Sequence, residues 1–238
     1  MATPIRMTIT MSIEGVQVSP LNLVKLMHLC SVSLPVGAYS FSQGLEYAIE
    51  EGWLTDAVQI REWIETQLQL GLVHVELPVL SLAMAAVQAN DVEALRRANR
   101  LLLACRESRE LRLADCAMGE ALARMMPTLG LSSLLVRRDE PTFIALFGQA
   151  CAQWGMTAST ACLGYAWSWL EGQASAATKL LPMGQTQSQQ MIAALQPLLP
   201  GAVDKALQVE AGDIGCCLPG MALSSALHET QYSRLFRS

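Results

Sequence analysis

The chain reads as all-α, a single-domain bundle of about nine or ten helices wrapped around one buried helix. Three observations predict this. Apolar residues recur at three- and four-residue spacing through most of the sequence, the period of one helix face. Cap and breaker residues cut that pattern into lengths ordinary for helices. No stretch alternates apolar and polar residues over enough positions to make a strand.

The elements follow in order. Met1 to Val18 has no helical face and is expected to be a flexible arm. Ser19-Pro20 reads as an N-cap and first helical residue. Leu21, Val24, Met27 and Leu29 are then expected to form the buried face of the first helix. His28 reads as a polar-edge residue of that helix. Pro35 pushes Leu34 out of the α region, and Gly37 admits a sharp turn. Ser40 with Gln43 three residues on has the spacing of a capping box, so a second helix is expected to start at Ser40 and stop near Gly52.

Thr55-Asp56 caps the next helix, which carries Ile60, Trp63, Ile64, Leu68 and Leu72. Pro78 lies inside its apolar pattern, so two helices are expected between Asp56 and Ala89, broken near Leu77. Asn90-Asp91 caps a helix with Leu95, Ala98 and Leu102. A charged helix follows, on which Arg106 and Glu110, four apart, are expected to share one face beside Arg109. Pro127 to Asp139 is a connector, and Glu140-Pro141 opens a helix that runs to about Trp154. Thr157 to Thr178 is apolar nearly all round, with Ala158, Cys162, Ala166 and Leu170 in one row of mostly small residues. Such a helix is buried on most sides and is expected at the centre. Pro182 and Gly184 break the chain before a glutamine-rich helix from about Gln185 to Leu195. A short helix, a loop over Ala211 to Cys217 and a last helix to about Leu227 complete the body. The segment 229–238 is expected to leave it. The domain plan is therefore an arm over 1–18, a helical body over 19–228 and a tail over 229–238.

Composition narrows the function classes. The chain has 238 residues, 52% hydrophobic and 16% charged, against the usual ~25% charged. That excess of apolar residues predicts covered surface and a homodimer. A net charge of −5 argues against nucleic-acid binding, which needs a basic face. Seven cysteines without a CxxC pattern fit a reducing, cytoplasmic setting. The most apolar run, Met156 to Leu170, falls short of the ~20 residues of a membrane span, and no membrane partner is expected.

Chemistry is sparse. The phosphate-binding pattern G-x-x-x-x-G-K-[ST], the nucleophile elbow G-x-S-x-G and the zinc motif H-E-x-x-H are all absent. Cys216-Cys217 with His228 is the nearest thiol–imidazole grouping, and adjacent cysteines splay apart, which suits a tetrahedral site poorly. No metal, cofactor or catalytic residue is assigned. A scaffold is expected rather than an enzyme, with a helical hydrolase or a strict GTPase activator as the alternative.

Four segments carry a family resemblance. They are Leu34-Pro35-Val36-Gly37-Ala38-Tyr39-Ser40-Phe41-Ser42-Gln43-Gly44-Leu45-Glu46, Ala104 to Arg112, Lys179-Leu180-Leu181-Pro182-Met183-Gly184-Gln185, and His228 to Ser238. In this order they resemble the urease accessory protein UreF family. The resemblance implies a cytoplasmic, dimeric, all-α adaptor without turnover of its own. It joins UreD (UreH in some organisms) and the GTPase UreG on apo-urease, and couples GTP hydrolysis to nickel insertion. It places Lys179 and Gln185 on the face toward UreG, to which we add Arg106 and Arg109. It makes the tail, with Tyr232, Arg234, Leu235, Phe236 and Arg237, the UreD-binding segment. Pro35, Gly37, Ser40 and Gln43 form the structural turn.

Overall fold

Ser19 begins the helical body as its residue type dictates: its side chain accepts from the Asn22 N–H and Pro20 is the first helical residue of α1 (Pro20–Leu29). The computed structural model describes residues 12–13 and 16–237. Before α1, Ser12–Ile13 (β1) and Val16–Gln17 (β2) pair antiparallel, Ser12 opposite Gln17 and Ile13 opposite Val16. The rest of the expected arm and Ser238 lie outside the described residues. The body is all-α. It comprises α2 (Leu45–Glu50), α3 (Ala57–Thr66), α4 (Leu77–Gln88), α5 (Val92–Ala104), α6 (Arg109–Met125), α7 (Phe143–Gln153), α8 (Ala158–Leu180), α9 (Gln185–Leu195), α10 (Leu199–Ala206) and α11 (Pro219–His228), with short 3₁₀ turns between some of them.

The chain does not break at Pro78. A π-helical segment, Gln67–Glu76, joins α3 to α4, so Ala57–Gln88 is one 32-residue rod. The expected break fails for a definable reason. A proline removes the N–H that would bond the carbonyl four residues back, here that of His74. That carbonyl instead accepts the Gly215 N–H at 3.1 Å, and the wider π turns ease the ring past it. The rod is also the one helix among the described residues long and apolar enough to cross a membrane, and 61% of its most apolar stretch is packed inside the protein. It is a core helix.

Helix α8 is central as expected, touching α1, α2, α3, α4, α7, α9 and α10. The second axis is α4, which carries α5 on one side and α7 on another. Close approaches use glycine. A Cβ on Gly148 of α7 would come within 2.9 Å of the Leu80 carbonyl of α4. A Cβ on Gly164 of α8 would meet the Leu26 side chain of α1 at 2.7 Å. The Cys30 thiol donates to the Gly164 carbonyl and the Ser168 hydroxyl to the Cys30 carbonyl, fixing α1 along α8.

The contacts of α1 correct its expected face. Leu26 and Leu29 are buried, whereas Leu21, Val24 and Met27 are 64, 61 and 65% exposed. Periodicity located a stripe, but two sets of apolar residues occupy this helix and only one meets α8. Farther on, buried Asn99 organises the entry to α7. Its amide donates to the carbonyls of Asp139 and Glu140 and its oxygen accepts from the Thr142 N–H. Thr142 rather than Glu140 caps the helix.

Candidate partner-binding site

The joint between α1 and α2 is built from left-handed residues. Gly37 has φ 79°, and a 3₁₀ turn over Ala38–Ser40 follows it. The expected capping box at Ser40 does not form. Helix α2 starts at Leu45, after Gln43 at φ 54° and Gly44 at φ 85°. The Gln43 side chain turns away from the helix end, and its oxygen accepts from the Trp169 indole at 2.9 Å and the Gln173 amide at 3.1 Å. Gly44 lies against Ser224 and the backbone of α11, where a side chain would collide. The spacing of a cap was present, but long-range partners took the Gln43 side chain. Pro35 is exposed at the start of this joint.

The tail does not leave the body; it folds back over the joint. The Arg237 N–H donates to the Ser40 carbonyl at 2.8 Å. The N–H groups of Leu235 and Phe236 donate to the two carboxylate oxygens of Glu46 at 2.6 and 2.9 Å. Phe236 is buried, whereas Tyr232 and Leu235 project outward, Tyr232 fully exposed. The segment is not helical, so Tyr232 and Phe236 do not share a face.

Beneath the tail lies a polar cluster that sequence reading missed. His228, 0% exposed, sits between two buried carboxylates. Its Nε2 is 2.9 Å from Glu46 Oε2 and its Nδ1 is 2.7 Å from Glu110 Oε2. Arg234 donates to the other Glu110 oxygen at 3.0 Å. The Ser108 and Ser225 hydroxyls pair beside it at 2.6 Å. Each ring nitrogen faces one carboxylate. His228 is thus a structural clasp, held away from the Cys216-Cys217 pair, and the described residues contain no group of three side chains able to hold a metal. The residues that form it, Glu46, Glu110, His228 and Arg234, each lie in a segment that carried the resemblance, but nothing in their spacing joins them.

Lys179, in the last turn of α8, is exposed and places its ammonium 5.7 Å from the Tyr39 ring and 5.5 Å from the Phe236 ring. It therefore bridges joint and tail, in addition to lying where a cation suits a helix C-terminus. Gln185 is exposed at the start of α9, and Arg109 is exposed at the start of α6.

Arg106 departs from expectation. It precedes α6 rather than riding on it, and its side chain is buried between Asp115 and Glu76, the latter contact 2.6 Å. Burial alone would lower the pKa of its guanidinium; Asp115 and Glu76 outweigh that and hold it up. Burial pushes the Asp115 carboxyl up, and Arg106 pulls it part of the way back. Glu110, expected to pair with Arg106, faces His228 and Arg234 instead. Arg106 is an internal tie between the rod and α6, not a docking residue.

The described geometry brings the first, second and fourth resembling segments together at Glu46, Glu110 and His228, with the third attached through Lys179. Comparison with known proteins shows the family. The family model described as UreF matches residues 54–196. Relatives named urease accessory protein UreF align along nearly the whole chain. The one from Marinomonas sp. (strain MWYL1) is 50% identical over 92% of this chain and 95% of its own. The one from Chromohalobacter salexigens is 44% identical over 96% of this chain and 100% of its own. That from Hahella chejuensis is 43% identical over 92% and 99%. The chain belongs to the UreF family of urease accessory proteins.

Proposed function

We propose that this protein is a cytoplasmic, non-catalytic adaptor of urease maturation. On this reading it bridges UreD (UreH) and the GTPase UreG on apo-urease and couples GTP hydrolysis to nickel delivery. The observation that carries the reading is the convergence of four segments, far apart in sequence, on one surface. Their shared chemistry is recognition rather than turnover: a buried clasp underneath, and Tyr39, Lys179, Tyr232 and Leu235 exposed around it. Lys179, Gln185 and Arg109 form the face offered to the GTPase. Tyr232 and Leu235, with Arg234 and Arg237, form the edge offered to UreD, while Phe236 anchors the tail that presents them. The unpartnered side of α1, continued by exposed Leu163 on α8, supports a homodimer in which a second copy covers it.

The test separates the edges. Co-expressed with its partners and urease, Lys179→Ala is expected to fold and retain UreD but yield urease with little nickel and little activity. Tyr232→Ala with Leu235→Ala is expected to lose UreD in a pull-down while leaving the melting curve unchanged, because both side chains face solvent. Full activation by Lys179→Ala would leave the lysine only its packing role. GTP hydrolysis by the purified protein alone would overturn the non-catalytic reading.

A further inference from the structure

A pocket of about 300 Å³ opens where α5, the start of α6 and the loop before α7 meet. It shares no residue with the clasp, the tail or Lys179. Four arginines line it: Arg96 and Arg100, one turn apart on α5, Arg112 on α6, and Arg138 on the loop. Leu103 and Ala104 supply its apolar lining. In a chain of net charge −5, so many guanidiniums around one concavity are an exception.

The carboxylates nearby do not use these arginines up. Asp139 and Glu140, the two acidic residues of the lining, pair with Arg96 at 3.3 Å and with Arg112 at 2.7 Å. Glu93, outside the lining, takes Arg100 at 2.7 Å and Arg96 at 3.6 Å. Even with Glu93 the arginines outnumber the carboxylates, and exposed Arg138 is left without an ion pair among the described residues. A guanidinium carries several N–H donors in a fixed fork. Arg100 and Arg112, each engaged through one nitrogen, therefore keep donors free as well. Those donors can be reached, because the two side chains are 58 and 43% exposed. The pairs with Glu93 and Glu140 are open to solvent at both ends, where ion pairs hold weakly and yield to a competitor. The wall itself is fixed: the Asn99 amide holds the carbonyls of Asp139 and Glu140.

We infer that this pocket is a docking site for an acidic segment of a partner protein. One carboxylate side chain enters between Arg100 and Arg138 with its methylene stem against Leu103 and Ala104, and an adjacent carboxylate accepts from the free donors of Arg112. A guanidinium fork matches a carboxylate two hydrogen bonds at a time. Carboxylates fit better than phosphate. Asp139 and Glu140 remain in the wall and oppose a dianion, whereas a carboxylate side chain brings a single charge and apolar carbon for Leu103. The inference does not rest on the adaptor reading, because it uses no residue assigned to UreG or UreD.

The experiment titrates the full-length, ¹⁵N-labelled protein with a capped tetraglutamate peptide at ~50 mM salt, where screening is modest. Saturable shifts are expected for the side-chain Nε–H signals of Arg100, Arg112 and Arg138, and binding should weaken as salt is raised. Arg100→Gln with Arg138→Gln is expected to weaken binding by about tenfold or more, the worth of a charge-assisted hydrogen bond, without moving the melting curve. Arg138→Gln alone, which breaks no ion pair, is expected to give part of that loss and serves if the double variant does not fold. Arg97→Gln with Arg124→Gln removes the same charge from exposed sites outside the pocket and is expected to leave the affinity within about twofold, since distant exposed charges are screened. Capped tetraglutamine and inorganic phosphate are run beside the acidic peptide. No saturable shift up to about 10 mM peptide, weaker than a millimolar-range contact, overturns the inference. So does unchanged binding in the Arg100 and Arg138 variants, or an equal loss in the Arg97 and Arg124 variant, which would make binding a matter of net charge. Equal shifts with tetraglutamine would remove the role of the carboxylates, and tighter binding of phosphate would make this a phosphate site; either result also overturns it.

Discussion

At the scale of single residues, His228 carries more of the structure than its isolation in the sequence suggests. Removing it as His228→Ala leaves Glu46 and Glu110 buried without the ring between them. A stability loss on the order of 1–3 kcal/mol or more is expected, because buried carboxylate oxygens lose their hydrogen-bond partner, read by denaturant unfolding. The tail should also become a protease target ahead of the body. The cysteines make a second case. Burial pushes the Cys30 and Cys162 thiols up to about 12, with Glu171 adding to the effect at Cys30. In the unfolded chain the same thiols ionise near pH 9.0. Their folded pKa is the higher one, so their contribution to stability is fully present below pH 9 and is lost as pH rises from 9 towards 12. Unfolding midpoints across that range should fall, and Cys30→Ser with Cys162→Ser should flatten the fall. Exposed Cys217 should be alkylated first in the native protein.

At the scale of elements, two helical glycines with similar sequence surroundings are predicted to respond oppositely. Gly119 of α6 faces the backbone of Pro141 and Thr142 so closely that a Cβ would overlap it. Gly119→Ala is expected to cost about 1–3 kcal/mol or more, because backbone cannot yield as a side-chain tip can. Gly172 of α8 has nothing within 4 Å of an added Cβ. Gly172→Ala is expected to stabilise by roughly 0.5–1 kcal/mol through helix propensity alone. Paired melting curves decide both. The rod makes the same point about context. Pro78 is a helix breaker by its chemistry, yet the Gly215 N–H and the π segment absorb the defect.

At the scale of the whole molecule, the apolar excess has a definite place. Leu21, Leu23, Val24, Met27 and Val32 remain outside the core around α1, and Leu163 joins them from α8. If a second copy covers this surface, Val24→Asp with Met27→Asp should give a monomer by light scattering at tens of micromolar. Leu26 and Leu29 stay in place, so the circular dichroism should not change. A dimer that persists would move the interface elsewhere. The joint, clasp and tail are built within one chain, so the monomer is expected to keep its tail docked.

Local chemistry settled what the sequence settled by itself. Helix class, the caps at Ser19, Asp56 and Asp91, the turns at Gly37 and Gly52, and the central place of α8 all follow from residue type and 3.6-residue spacing, which act over a few neighbours. Tertiary structure decided the rest, for one physical reason: each group has several possible partners, and only the fold says which one arrives. Gln43 could cap a helix but meets Trp169 and Gln173. Arg106 could face solvent but is closed in by Glu76 and Asp115. The apolar residues of α1 could be buried on either side, and α8 covers only Leu26 and Leu29. The tail could fray, but Glu46, itself held by a histidine 182 residues away in sequence, accepts its backbone N–H groups and holds it against the joint.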